Sequence, residues 1–584
     1  MADLYDKIVE LARRRGFFWP SYEIYGGVAG FYDLGPLGVA LKNKIVEKWR
    51  RFFVKDHSDH VVEIETPVIG PSRVYEASGH VESFTDPIVS CSSCGRKYRA
   101  DHLVEEATGE SVEGLSPRQL TEIIRRKRIR CPVCGGELGE VKVFNLLFRT
   151  QIGPYEGDIG YLRPELAQGM FVSFKRVIES MRGKLPIGIA QVGRVGRNEI
   201  SPRQAMVRLR EFTIMEMEYF IDPEASDPCP VYENAVDEVL RIRTYRDKLE
   251  DNPPREYTLG EAVEKGVIVN KCLGYWMAVS KRFVESVGVR GEDMFFEEKG
   301  PEERAHYSSQ TFDQMVRVSR WGWVEVSGHS YRTDYDLSRH MKYSGADLTV
   351  FKSYPKPVTV VEKRIVYDRA YIGRKYRAEA PRVMEALSRL DPEEAERLLR
   401  ERGAIEVEGY VIPGDKVRVV VEEKKVTGRR IVPHVVEPSF GVERVVYAAI
   451  EHAYREKEGR VILSLPRDIA PFSVVVLPLN ESDEKLVEVA RRVYENLVRE
   501  GFDAYYDDSG GIGRRYARAD EIGVPAAVTI DYQTLEDGTV TVRDRDSWRQ
   551  SRVHMSRLPA ALRQFIYMGR SLDEIGVEHK GEQS

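Results

Sequence analysis

Hydrophobic and polar positions alternate most regularly between residues 207 and 219. Val207, Leu209, Thr213, Met215, Met217 and Tyr219 fall on one side of the alternation, and Arg208, Arg210, Phe212, Ile214, Glu216 and Glu218 on the other. A period of two with one greasy side predicts an antiparallel strand with one buried face. Glu211 is the exception, a charge on the greasy side. A shorter strand-like run from Arg194 precedes it across a turn at Ser201-Pro202 and adds Arg197 and Glu199. The polar face then carries cations, an aromatic ring and carboxylates in order. That set suits a site that holds a polyanion, stacks a flat ring and grips an ammonium group. A solvated sheet face is the competing reading, because exposure is the usual state of charged residues.

Other stretches yield further elements. Gly35 and Pro36 open a helical pattern with Leu41, Ile45 and Trp49 at four-residue spacing, followed by Phe52 and Phe53. An extended run, Val61 to Glu65, ends at Thr66-Pro67. Trp321 to Gly328 alternates as a short strand. Val442, Val445, Ala449 and Ile450 form a helical stripe directly after Gly441, with Arg444 in the first turn, where a helix N-terminus favours anions. From Pro471 the pattern changes. The apolar run SVVVLPL, a helix from Asp483 to Arg499, a strand at 504–506, a helix from Arg515 to Ile522 and a strand from Pro525 to Ile530 alternate. Such alternation predicts parallel strands with helical crossovers, hence a separate α/β domain. Its glycine-rich DDSGGIGRR lacks the spacing of a dinucleotide loop.

Composition changes this picture in several ways. A chain of 584 residues exceeds a single core and predicts three or four domains. A net charge of −5 does not mark a nucleic-acid binder, although a whole-chain sum hides local patches. No apolar run approaches the ~18 residues of a membrane span, and Asp3, Asp6 and Glu10 around Arg13-Arg14-Arg15 argue against a transit peptide. The expectation is a cytoplasmic protein without a membrane partner. Six cysteines in so long a chain do not make a disulfide framework. Four of them form two CxxC knuckles, Cys91 with Cys94 and Cys131 with Cys134, each followed by a glycine. Two knuckles predict a structural Zn²⁺ whose shell four thiolates close; free or redox thiols are the alternative. Cys229 and Cys272 are lone and read as structural. The basic run Arg125 to Arg128 with Arg130 is a solvated face or a contact to an RNA backbone.

Arg197-Asn198-Glu199 and Arg210-Glu211-Phe212-Thr213, with Glu216 beyond them, resemble motif 2 of class II aminoacyl-tRNA synthetases. They resemble in particular the version in the dimeric glycyl-tRNA synthetases of eukaryotes and archaea, and the similarity extends from about residue 20 to about 555. RPELAQGMF resembles that family's RPETAQG signature, with Leu166 in place of threonine. The helix and strand of 35–67 resemble motif 1, the family's dimer interface; a helix packed in its own core is the alternative. Residues 433–456 resemble motif 3, and the C-terminal α/β region resembles the anticodon-binding domain that synthetases for Gly, Thr, Pro and His share.

The resemblance implies an α+β fold: an antiparallel class II catalytic sheet with helices, a zinc-bearing insertion and a C-terminal α/β anticodon-binding domain. The implied divisions are 1–84 (N-terminal catalytic part with motif 1), 85–143 (zinc insertion), 144–221 (core with motif 2), 222–318 (helical insertion near the tRNA acceptor end), 319–349 (core), 350–430 (β-containing insertion), 431–468 (core with motif 3) and 469–584 (anticodon-binding domain). It implies ATP-dependent charging of tRNA(Gly) with glycine through glycyl-adenylate, by a homodimer using Mg²⁺. Arg197 would meet the α-phosphate, Glu199 the adenine amino group, Phe212 the adenine face and Arg444 the γ-phosphate; Arg197, Glu199 and Arg444 are the catalytic set. Asn198, Arg208, Leu209, Arg210, Glu325 and Val326 complete the ATP site, with Mg²⁺ between Glu325 and the phosphates. Glycine would meet Arg99, Glu165, Glu216, Glu437, Pro438 and Ser439; a salt bridge to Arg163 is the alternative for Glu165. A synthetase for another small amino acid, an inactive synthetase-like RNA-binding protein and a ligase without tRNA are the competing functions.

Overall fold

The computed structural model describes the whole chain except residues 1–2, 111, 113, 155–156, 203–204, 226–227, 306 and 579–584. Its centre is a nine-stranded sheet. In chain order the strands are β1 (Val61–Glu63), β2 (Ile187–Gly196), β3 (Glu211–Ile221), β4 (Val239–Arg243), β5 (Arg255–Thr258), β6 (Met294–Glu298), β7 (Gln310–Val318), β8 (Gly322–Thr333) and β9 (His434–Gly441). They lie in the order β5-β4-β6-β7-β8-β9-β3-β2-β1. Pairing is antiparallel except for β1 with β2 and β4 with β6. Strand β3, between β2 and β9, is buried on both faces. Its Met215, Met217 and Tyr219 enter the main core, while Ile214, Glu216 and Glu218 are buried on the other side. The solvated-face reading is therefore excluded. The strand also starts later than its alternation predicts: residues 205–207 form a helical turn, so Arg208 and Leu209 are on a loop. Glu211, anomalous in the pattern, pairs with Arg194 at 2.9 Å.

Helix α1 (Pro36–Phe53) starts with proline at its first turn and buries Leu37, Leu41, Ile45, Trp49 and Phe53. Trp49 stacks on Phe53 and Phe53 on Trp276, with ring centroids 5.2 and 5.7 Å apart. These rings are wholly buried within one chain. An interface built on Trp49 and Phe53 is thus overturned, because neither has surface left to bury. The segment 222–318 is not simply helical. It supplies β4 to β7 of the central sheet as well as the buried helix Lys271–Ser286. Three of those strands have only four or five residues, too brief for their alternation to be read.

The two knuckles sit in a small module. Strand Thr85–Ser90 pairs with Lys97–Arg99 and Lys142–Asn145, and helices Ala100–Thr108 and Pro117–Arg126 cover it. Both post-cysteine glycines adopt positive φ, 69° at Gly95 and at Gly135, and donate back to Cys91 and Cys131. A left-handed residue at the end of each turn is what folds a CxxC pair inward. In the basic run, Arg125 pairs with Glu140 and Arg130 with Glu137.

Residues 349–432 form a compact unit of their own. A long antiparallel ribbon, Val350–Tyr367 with Val417–Ile431, carries three helices and a hairpin around Ile372, Val383, Leu387, Ile405 and Ile412. At the C-terminal end, Val474–Pro478 pairs in parallel with Ala504–Tyr506 and Ala526–Ile530, and Thr539–Asp544 and Gln550–His554 extend the sheet antiparallel. The basic helix there, Ile512–Glu521, presents fewer cations than its sequence offers. Arg514 is exposed, but Arg515 is buried against the carbonyls of Pro478 and Leu479, and Arg518 is paired with Asp507.

Candidate functional site

One cleft opens over β3, β8 and β9. Its wall gathers Arg197, Glu199, Arg208, Leu209, Phe212, Glu325, Val326 and Arg444 with Glu165, Glu216, Glu437 and Ser439. Residues distant in sequence meet because β3 lies against β9 and β9 against β8.

One end is cationic and aromatic. The Arg197 guanidinium lies 5.5 Å from the centre of the Phe212 ring, and its Nε donates to the Pro164 carbonyl at 3.0 Å. Arg208 approaches Glu199 at 3.3 Å. Arg444 donates to the carbonyls of Val207 and Glu325, 2.8 Å each, and meets the Glu325 carboxylate at 3.1 Å. Desolvation opposes ionisation of Glu325, yet Arg444 and Lys299 override it and hold the carboxyl down at about 2. Beside it, Lys299 pairs with Asp313 at 3.0 Å. Burial and Glu325 push Asp313 up to about 7 against that lysine, and Asp313 Oδ1 has no hydrogen-bond partner.

The other end is small, buried and acidic. Ser439 Oγ donates to Glu216 Oε1 and the Leu166 amide to Glu216 Oε2, both at 2.7 Å. Gln168 donates to Glu165 at 2.9 Å, and His80 lies 3.4 Å from the same carboxylate. Among the described residues, the guanidinium that reaches these acids is that of Arg332, fully buried on β8. It reaches Glu437 at 3.0 Å, Asp336 at 2.9 Å and Glu165 at 3.8 Å, and stacks 3.7 Å from the Tyr307 ring centre. Burial raises Glu216 and Glu437, while His80 and Arg332 bring Glu165 below its ordinary value in spite of burial. An excess of buried carboxylate over cation is a ready receptor for one more cation.

Four expected residues lie off this wall. Arg99 is engaged by Asp86 and Asp101, at 3.2 and 2.8 Å, and lines a neighbouring hollow with Arg208. Arg210 donates to the backbone carbonyls of Glu199 and Ala29. Asn198 joins its amide to the Leu146 carbonyl. Pro438 sits between Glu437 and Ser439 on a strand, so it faces away from the side they share. The salt bridge of Glu165 to Arg163 is absent too: Arg163 donates to the carbonyls of Arg194, Thr66 and Pro67. Conversely, sequence reasoning missed Arg332, Tyr307, Lys299 and Asp313. Arg332 had no local signal: a period of two counted from Glu325 puts it on the opposite face, and the register shift between Glu325 and Ser327 is what brings it to the cleft side of a strand that runs to Thr333.

The four knuckle cysteines are reduced, and their sulfurs all lie within 4.8 Å of one another. Cys91 and Cys134 are 3.5 Å apart and Cys94 and Cys131 3.8 Å. A tetrahedron with Zn–S of ~2.3 Å has edges of about 3.8 Å, so the donor set fits Zn²⁺ in type, number and spacing. The Tyr98 hydroxyl lies 3.1 Å from Cys131 Sγ. The module also braces the cleft, because Ser201 Oγ donates to the Lys97 carbonyl at 2.8 Å. Among the described residues, no helix is long and apolar enough to cross a membrane.

Comparison with known proteins bears on the whole chain. Residues 473–565 match the anticodon binding domain. The glycine–tRNA ligase of Aeropyrum pernix is 67% identical over 580 residues, 99% of each chain. That of Pyrococcus furiosus is 47% identical across 97% of this chain and 99% of its own, and that of Methanothermobacter thermautotrophicus 45% identical across 96% and 98%.

Proposed function

The chain belongs to the glycine–tRNA ligase family, a class II synthetase family, and we propose that the cleft over β3, β8 and β9 is where it activates glycine with ATP. The enzyme charges tRNA with glycine. A glycine carboxylate oxygen attacks the α-phosphorus, pyrophosphate leaves, and a ribose hydroxyl at the tRNA 3′ end then takes the glycyl group from the adenylate. No side chain need act as a covalent nucleophile; positioning and charge stabilisation suffice.

One observation carries the assignment of roles: a phosphate-type end and an ammonium-type end share a single cleft. Arg197 stands where negative charge grows on the α-phosphate, Phe212 offers its ring to adenine, Glu199 accepts from the adenine amino group, and Arg444 holds the γ-phosphate. Glu325 and Asp313 supply oxygen donors of the kind Mg²⁺ takes; bound there, the ion would neutralise phosphate charge. Glu165, Glu216 and Glu437 receive the ammonium group, with Ser439 closing the space a side chain would need. Arg99 and Arg210 act through neighbours rather than on substrate. ATP–pyrophosphate exchange with glycine, followed by charging of tRNA, tests the proposal: Arg197→Ala and Arg444→Ala must abolish exchange while leaving the fold intact.

Three further assignments belong to the same reading. The four cysteines hold a structural Zn²⁺, with no open position for substrate. The protein works in the cytoplasm, where its thiols stay reduced. It acts as a homodimer, but through another surface than the buried rings of α1. Tyr22, Ile24 and Tyr25 are 55, 89 and 84% exposed, an unusual grouping for a soluble surface. The segment that follows them is bonded to the cleft loop, since the Arg210 amide donates to the Gly30 carbonyl and its guanidinium to that of Ala29.

A further inference from the structure

Glu218 has no part in the roles assigned above, yet it is a charged-type side chain with no exposed surface. It follows Glu216 by two residues on β3 and so shares its face. The register that sets Glu216 opposite Ser439 and Tyr219 opposite Val436 places Glu218 opposite Glu437. Carboxylate oxygens of Glu216, Glu218 and Glu437 all lie within 4.8 Å of one another. Glu218 is fully buried, and neither of its oxygens has a hydrogen-bond partner.

Like charges directly opposite across two strands repel, and both side chains are buried. Among the described residues, the surroundings offer Glu218 no cation of its own. Arg332, on β8, is already engaged by Glu437 and by Asp336 of the helix Tyr335–Ser344. Strand β2 presents Ile189 opposite Glu218, and the next residue on the same face of β3 is Phe220, stacked on Phe174. Two carboxyls in one buried site resolve such a conflict by sharing one proton. Glu437 has the guanidinium and Glu218 has no partner among the described residues, so the proton belongs on Glu218. Burial and Glu437 raise Glu218 well above the ordinary carboxylate range, the same direction.

Taking the acidic end as the receptor for the glycine ammonium group, we propose that Glu218 is a protonated positioning residue behind that receptor, donating a hydrogen bond to the Glu437 carboxylate when glycine seats. The bond fixes how Glu437 is presented and adds no third negative charge around one ammonium. A neutral acid at this point is a donor, whereas an ionised one would be a further ligand. The two roles respond oppositely to substitution.

The test compares Glu218→Gln, Glu218→Met and, as control, Glu216→Gln in the full-length protein, by ATP–pyrophosphate exchange with glycine and with ATP varied in turn. Glutamine keeps shape and can donate, so Glu218→Gln should stay within about threefold of the native KM for glycine. Methionine keeps bulk and cannot donate, so Glu218→Met should raise it roughly tenfold, with the KM for ATP unmoved. The infrared difference spectrum of native protein minus Glu218→Gln should hold the carbonyl stretch of a protonated carboxylic acid, shifted in heavy water. Equal loss in both Glu218 variants would mean an ionised ligand, and equal retention a packing role; either overturns the proposal, as does absence of the band. Should Glu218→Met fold poorly, the glutamine variant and the spectrum decide. If Glu216→Gln leaves glycine binding untouched, the ammonium receptor itself is misplaced and the proposal falls with it, a failure distinct from the others.

Discussion

Replacing Glu216 by glutamine isolates the charge that the acidic end of the cleft offers to glycine. The carboxylate is held by two donors, the Ser439 hydroxyl and the Leu166 amide. An amide side chain can turn its oxygen to the Leu166 N–H and its NH₂ to Ser439, whose hydroxyl then accepts, so the shape survives. What is lost is one negative charge about 4 Å from the ammonium, worth up to ~4 kcal/mol at an effective dielectric constant of ~20. Glu165 and Glu437 remain, and burial and Glu165 both raise Glu216 above its ordinary value, which opposes its charge. The net effect should therefore fall well below that ceiling. The expected rise in KM for glycine is at least tenfold, about 1.4 kcal/mol. The KM for ATP should stay within twofold, because Phe212, Arg197 and Arg444 are untouched. Exchange measured with glycine varied at saturating ATP, and the reverse, separates the two. An unchanged KM for glycine would refute the reasoning and move the amine elsewhere in the cleft.

Metal analysis of protein purified without chelator should give one zinc per chain; stripping it should raise the KM for ATP several-fold, because the module braces the loop at Ser201, and zinc-free protein with native kinetics would contradict this. Changing Ile24 and Tyr25 together to aspartate should convert a dimer to a monomer in light scattering, and a surviving dimer would clear that face. Asp313 is raised from 3.8 to about 7 and holds a cation only when ionised, so at limiting Mg²⁺ the KM for ATP should fall as pH rises through about 7; Asp313→Asn should flatten that profile.

Much of this was legible because the chemistry lies on one regular strand. Phe212 and Glu216 follow from a period of two, and Cys91, Cys94, Cys131 and Cys134 from knuckle spacing. The pattern failed where the backbone leaves the strand. Arg210 alternates in phase with Phe212 but precedes β3, and its guanidinium is consumed by main-chain carbonyls. Trp49 and Phe53 form an apolar stripe that a sequence cannot allot between a core and an interface; Trp276, more than 200 positions away, is what covers them. Lys299 and Asp313 were invisible because their pairing is set by the register of β6 and β7, not by local spacing. The same holds for Glu218 and Glu437, which meet only when β9 is laid beside β3.

The account's central claim is that three acids and Ser439 make a receptor for an ammonium group with no room beside it. Exchange of pyrophosphate into ATP, measured with glycine, alanine and serine in turn on the native enzyme and on Ser439→Gly, tests it most directly. The native protein should respond to glycine alone, and the variant should activate alanine detectably. Native activation of alanine or serine at a rate near that of glycine would contradict it.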